Sequence, residues 1–193
     1  MKLEDTRRSL IEGTIYVIAN EGLDKATTKQ IGTRTGINEA YIYRCFDSKE
    51  DMFAKAFELL DCELVDIIMS NIDVMYLTEL DYETRCRLFF FKVWNFITKY
   101  RERCLAYVSY YYSPYFRRYS AVEHKKRYGC VVEKFKDSFI EEADVWMILN
   151  HILNVMLDFA IKVYNDEMPN EDNYSEHIFR VIYRSVEQYF KKR

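Results

Sequence analysis

The chain has 193 residues, 49% of them hydrophobic and 17% aromatic, which is enough for a sizeable core in one or two domains. Its formal net charge of -3 excludes a globally basic nucleic-acid binder, so any affinity for a polyanion must come from a local patch. With only 5 glycines and 2 prolines between long periodic runs, the composition favours an all-α fold.

The first helix is expected from about Asp5 to Glu21, with an apolar stripe of Leu10, Ile11, Ile15, Val17 and Ile18, and Gly22 ends it. The next stretch, ATTKQIGTRTGINEAYIYRCFDSKED, is the most informative in the chain. It predicts a helix, a tight turn, a short second helix and the capped start of a third. Thr27 is a good N-cap, and Gly36 supplies the turn because glycine takes positive φ without steric cost. Ile31, Ile37, Ile42 and Phe46 pack inward, which leaves Tyr41, Tyr43, Arg44 and Lys49 outside. A helix-turn-helix with a polar, aromatic and basic outer face points to the DNA major groove. Residues 1–51 carry eight Lys/Arg and nine Asp/Glu, a net of -1, which counts against strong non-specific binding, although Arg7, Arg8, Lys29, Arg34, Arg44 and Lys49 could share one face with the acids elsewhere.

Ser48 is expected to cap a longer helix reaching about Asn71, with Asp51 as the reciprocal partner of a capping box. Beyond it the periodicity predicts a helix over 81–100 that is apolar on nearly every side, and so central. A shorter helix follows over 101–112, stopped near Ser113-Pro114. A basic helix over 116–140, a long apolar helix over 142–167 and a last helix over 174–190 complete the chain. On the long helix Asn150, Asn154 and Asp158 recur at every fourth position and Lys162 continues the line. That polar stripe fits a solvated edge with an Asp158–Lys162 ion pair, a strip in a subunit interface, or a pocket wall.

The five cysteines at 45, 62, 86, 104 and 130 are odd in number and contain no CxxC, which implies neither a disulfide framework nor a zinc site. A reducing cytoplasm is the simple reading. Redox sensing by one thiol stays open. The three histidines, 124, 151 and 177, lack metal spacing, and no metal or other cofactor is expected. The start MKLEDTRR has no apolar signal region, and no 18-residue uncharged apolar run exists, so no membrane partner is expected.

Gly22-Leu23, Thr27-Thr28, Ile31, Gly36-Ile37, Ile42-Tyr43, Phe46 and Ser48-Lys49-Glu50 together resemble the TetR family of transcriptional regulators. The resemblance covers roughly residues 7–53. Gly32 and Ala40 depart from it, standing where the family often has alanine and glycine. These exchanges of small residues are expected to leave the backbone path intact. The resemblance implies a helix-turn-helix DNA-binding domain over 1–48 and a larger ligand-binding and dimerisation domain over 49–193. It further implies a homodimer on double-stranded, inverted-repeat operator DNA, released by a small-molecule ligand that the sequence does not identify.

Thr28 stands in the first turn of its helix, where a hydroxyl and free N–H groups suit a phosphate oxygen. Tyr43 and Lys49 match family positions that contact phosphate, and Arg44 is a long donor beside Tyr43. Asn38, Glu39, Ala40 and Tyr41, on a short helix over 38–43, would face base edges, since asparagine suits adenine, a carboxylate cytosine N4 and alanine a thymine methyl. Lys29 and Arg34 would reach guanine or phosphate. In the C-terminal region Phe90, Phe91, Trp94, Tyr107, Tyr110, Tyr111 and Trp146, with Asn150 as a polar group, are the candidate ligand pocket. The plain alternative is a core built of large side chains. The expected function is a TetR-like repressor responding to an apolar or amphipathic ligand. An architectural DNA-binding protein of the same fold is the rival. A helical enzyme is the remaining class, and no acid-base or nucleophile constellation supports it.

Overall fold

The computed structural model describes residues 3–191. Its regular elements are helices, and the described residues add one isolated antiparallel bridge, Phe139 to Phe190. Contacts divide the chain into two compact units, Met1–Glu63 with Arg101–Lys125 and Leu64–Tyr100 with Lys126–Arg193. This partition differs from a cut after residue 48, because a segment distant in sequence joins the N-terminal helices.

The first unit holds α1 (Leu3–Glu21), α2 (Thr28–Thr35), a 3-10 turn (Glu39–Tyr41) running into α3 (Ile42–Cys45), and the start of α4 (Lys49–Ser70). It also holds α6 (Arg101–Tyr111), a π turn (Phe116–Ser120) and the start of α7 (Ala121–Phe135). Leu10, Ile31, Ile42, Phe53 and Phe57 form its buried centre. The Phe57 ring lies 5.0 Å from Tyr107, 4.9 Å from Tyr110 and 5.4 Å from Phe116, between centroids. Asp61, fully buried on α4, accepts from His124 Nδ1 at 2.9 Å and from the Tyr107 hydroxyl at 3.5 Å. Arg103 on α6 reaches Glu12 of α1 at 3.0 Å and Glu63 of α4 at 3.1 Å.

The second unit holds the end of α4, a 3-10 turn (Ile72–Tyr76), α5 (Tyr82–Lys99) and the rest of α7. A 3-10 turn (Lys136–Ser138), α8 (Val145–Tyr164), α9 (Asp172–Val186) and a final 3-10 turn (Glu187–Tyr189) complete it. Asp81 and Asp144 cap α5 and α8, accepting from Thr84 N and Met147 N at 2.9 Å each. The helix expected to be apolar all round is instead one-sided. Arg85, Phe90, Val93, Trp94 and Ile97 face inward, while Leu88 is exposed. The expected basic helix over 116–140 is broken at both ends. Its start is the π turn Phe116–Ser120, and beyond α7 the chain turns to pair with the C-terminal segment, with Ile140 N donating to Tyr189 O at 2.9 Å and Lys191 N to Ser138 O at 3.0 Å.

By length and composition α8 is apolar enough to cross a membrane, which the uncharged-run criterion did not anticipate. It buries Ile148, Leu153, Met156, Leu157 and Ala160 along one face and leaves most of its apolar length outside the core. Of its polar stripe Asp158 is exposed and Asn150, Asn154 and Lys162 are half-buried; Lys162 pairs with Asp158, and the Asn150 amide is turned back onto the Trp146 carbonyl at 2.9 Å.

The Asp61 carboxylate serves donors from two other helices, so removing it leaves buried N–H and O–H groups without their acceptor. Asp61→Ala should lower stability by about 3 kcal/mol, and Asp61→Asn, which keeps an acceptor oxygen, by clearly less. Urea denaturation followed by circular dichroism checks this, and equal midpoints for the wild type and Asp61→Ala would contradict it.

Candidate nucleic-acid interface and apolar cavity

The turn geometry follows from three local devices. Thr27 and Gln30 form a capping box, with Gln30 N donating to Thr27 Oγ1 at 3.2 Å and Thr27 N to Gln30 Oε1 at 3.0 Å. Gly36 closes α2 at φ +69°. Asn38 Oδ1 then accepts from Ala40 N at 2.9 Å, so the short helix expected over 38–43 is a capped 3-10 turn passing into α3. Gly32 is tighter than a small-residue exchange implies. A Cβ there would stand 2.8 Å from the Ile37 carbonyl oxygen, so alanine would displace the turn itself.

At the head of α4 the capping box is shifted by one residue. Asp51 N donates to Ser48 Oγ at 3.0 Å, but the Asp51 carboxylate accepts from Asp47 N at 3.2 Å rather than from Ser48.

Ile31, Ile42 and Phe46 are buried, whereas Lys29, Arg34, Asn38, Glu39, Ala40, Tyr41, Tyr43 and Arg44 are exposed. Thr28 and Lys49 are half-buried. Several cations rest on aromatic rings: Arg7 over Phe46 at 5.2 Å, Arg44 over Tyr41 at 5.2 Å and Lys49 over Phe53 at 5.4 Å. Arg34 lies 3.7 Å above the Tyr16 ring. Lys29 and Arg34 share an open concavity with Lys25 and Thr33. Thr33 stands four residues after Lys29, the helical spacing that marks it as a neighbour. The Thr28 hydroxyl is engaged by the Glu39 carboxylate, so both ends of the reading segment are tied together without DNA.

In the second unit α5, α7, α8 and α9 border an apolar cavity of about 110 Å³. Of the candidate pocket residues only Phe90 lines it. Trp94 is stacked on Phe90 at 5.8 Å, Phe91 packs edge-on to Phe90 at 5.2 Å, and Trp146 lies edge-on to Tyr128 at 6.4 Å. Tyr107, Tyr110 and Tyr111 belong to the first unit and surround Phe57 and His124. The eight candidates are thus divided between the two units, and Phe90 lines this cavity. Sequence reasoning missed Tyr82, Cys86, Tyr128 and Tyr183, the polar groups of the wall. Burial pushes the Cys86 thiol up to about 12, which suppresses the thiolate that redox sensing needs. Burial likewise pushes Tyr183 up to about 12. Among the described residues no cluster of His, Cys, Asp or Glu fits a metal ion.

Residues 10–56 match the model of bacterial regulatory proteins of the tetR family. The chain is similar to the nucleoid occlusion factor SlmA of Photorhabdus laumondii, 27% identical over 99 residues, 51% of this chain and 48% of that protein. It thus spans about half the length of the curated relatives it matches. A TetR family transcription regulator from Marinobacter aquaeolei VT8 superposes with a TM-score of 0.77 at 13% identity, covering 96% of this chain and 98% of that one. The transcriptional regulator FadR from Bacillus subtilis, solved in complex with stearoyl-CoA, gives 0.68 at 17% identity, covering 91% and 96%.

Glu39 is the one carboxylate among the candidate contacts, and on a sequence that offers it no cytosine N4 its charge would be repelled by the phosphates. At ~5 Å in water such a repulsion is worth about 0.8 kcal/mol, or roughly fourfold in affinity. Glu39→Gln should strengthen binding to random duplex DNA by about that factor at low salt, read by fluorescence anisotropy. Unchanged affinity would place Glu39 away from the backbone. Residues 10–56 thus match the tetR family of bacterial regulatory proteins, and the chain shares the fold of solved TetR family regulators.

Proposed function

We propose that this chain is a DNA-binding transcriptional repressor that holds an inverted-repeat operator as a homodimer and leaves it when a small apolar or amphipathic molecule enters the α5–α7–α8–α9 cavity. The observation that carries this reading is a partly open, almost wholly apolar cavity in a chain whose other unit bears a tetR-family helix-turn-helix. A cavity of about 110 Å³ in a natural core forfeits packing, and a ligand recovers it. FadR, of the same fold, is a regulator solved with an acyl thioester, which supports the ligand class. The architectural alternative draws on the nucleoid occlusion relatives, and the cavity favours the ligand-responsive reading over it.

In this reading Thr28, Tyr43, Arg44 and Lys49 bind phosphate, and Asn38, Glu39, Ala40 and Tyr41 approach base edges, with Lys29 and Arg34 beside them. The 22-residue helix α4 carries Lys49 at its start and Ile68 of the cavity wall near its end. A ligand can act only by favouring one arrangement of the chain over another. A hundredfold preference corresponds to about 2.7 kcal/mol, within reach of a buried apolar contact set.

Operator DNA selected from random sequence, titrated with and without ligand extracted from or screened against the protein, tests the reading as a whole. Tyr43→Phe should weaken binding similarly across sequences, and Lys49→Ala should also reduce the salt slope by about one unit. A change of base preference with general affinity intact would remove either residue from the backbone contacts.

The dimer is motivated by apolar side chains left outside on the last two helices. Met147 on α8 and Tyr174 and Val181 on α9 are exposed. A two-fold interface there would set the reading heads about 34–36 Å apart, one DNA turn, or a small multiple of it. Val181→Glu should raise the dimer dissociation constant at least about tenfold, ~1.4 kcal/mol, as measured by sedimentation. A monomeric wild type with full operator affinity would end the proposal.

A further inference from the structure

Arg85 is a buried cation beside the cavity whose charge the fold leaves without an anion. It stands on α5 between Tyr82 and Cys86, both of which line the cavity wall. The residue is only 5% exposed. Its Nη1 donates to the carbonyl oxygen of Met75, another lining residue, at 2.9 Å. Its guanidinium lies 5.2 Å from the centre of the Tyr82 ring. Nε is buried without an acceptor, and among the described residues no carboxylate lies within ion-pair distance of the group. Arginine carries its charge in proteins generally. A desolvated cation held by one carbonyl and one ring lacks most of the stabilisation that a carboxylate supplies. The open edge, Nε with Nη2, is one of the paired-donor edges that a planar carboxylate takes with both oxygens.

The surroundings fit one kind of occupant. No cavity-lining residue carries a carboxylate or an ammonium group. Cys86 and Tyr183 stay neutral at ordinary pH. Arg85 does not itself line the cavity; it stands against the wall through two lining residues, the Tyr82 ring and the Met75 carbonyl.

We propose that Arg85 is the head-group anchor of the cavity, binding the carboxylate of a single-chain fatty acid whose hydrocarbon tail lies among Phe89, Phe90, Leu153, Met156 and Phe179. This rests on the reading of the cavity as the ligand site. It adds the chemical class of the ligand and the residue that selects it.

The test compares three probes of one chain length, decanoate, decanol and decyltrimethylammonium, by titration calorimetry against the full chain. Decanoate should bind roughly tenfold or more tighter than decanol, and the cation weakest. Arg85→Met should erase the preference for decanoate while keeping decanol affinity, and Arg85→Lys should retain part of it, with thermal melts as the folding control. If Arg85→Met does not fold, the wild-type series and Arg85→Lys still decide. Equal binding of decanoate and decanol, or an undiminished preference in Arg85→Met, overturns the head-group assignment and leaves the cavity as a ligand site. No binding of any of the three to folded protein overturns both.

Discussion

The first unit is organised about the hydrogen-bonded set of Asp61, His124 and Tyr107. Three helices alone, α1 to α3, enclose too small a core to be stable by much. The chain solves this by bringing back residues 101–125 to finish the unit. A buried carboxylate is a demanding way to hold that return, because its worth depends on direction as well as contact. Apolar rings alone can slide past one another, but an oxygen shared by an imidazole and a phenol fixes the rotation of α6 and α7 against α4. The aromatic stack on Phe57 then packs in one arrangement, and Arg103 repeats the same tie on the outside, to α1 and α4.

The helix-turn-helix was legible in the sequence because its determinants are local. A cap, a glycine of positive φ and the alternation of buried and exposed side chains all act within a few residues, and Thr27, Gly36, Ile31 and Tyr43 stand as expected. The shift of the Asp51 carboxylate onto Asp47 is a local change that spacing alone cannot resolve. The tight approach at Gly32 depends on where Ile37 comes to lie, and no composition rule reports that.

The cavity was much less legible. Large aromatics fill cores and line pockets alike, so Trp94 and Phe90 carry the same signal although only Phe90 meets the cavity. Tyr107, Tyr110 and Tyr111 carry the same aromatic signal, and the fold assigns them to the other unit. One signal was present and unused. Arg85 stands four residues before Phe89 and eight before Val93, on the stripe that turns inward. A charged residue in phase with a buried stripe is an exception that calls for a partner.

Arg34 lies flat on Tyr16 at 3.7 Å. A free arginine samples many rotamers and gives them up when it meets a phosphate, a loss on the order of 2 kcal/mol of side-chain entropy for full immobilisation. A guanidinium already stacked has surrendered much of that freedom on folding, and its rim of N–H donors remains open to solvent. A surface whose first 51 residues sum to a charge of -1 can then hold a polyanion through a few ordered cations rather than a general positive potential. If the proposed DNA contacts hold, such a surface would have little attraction for arbitrary DNA, and its selectivity would come from order already built into the folded state.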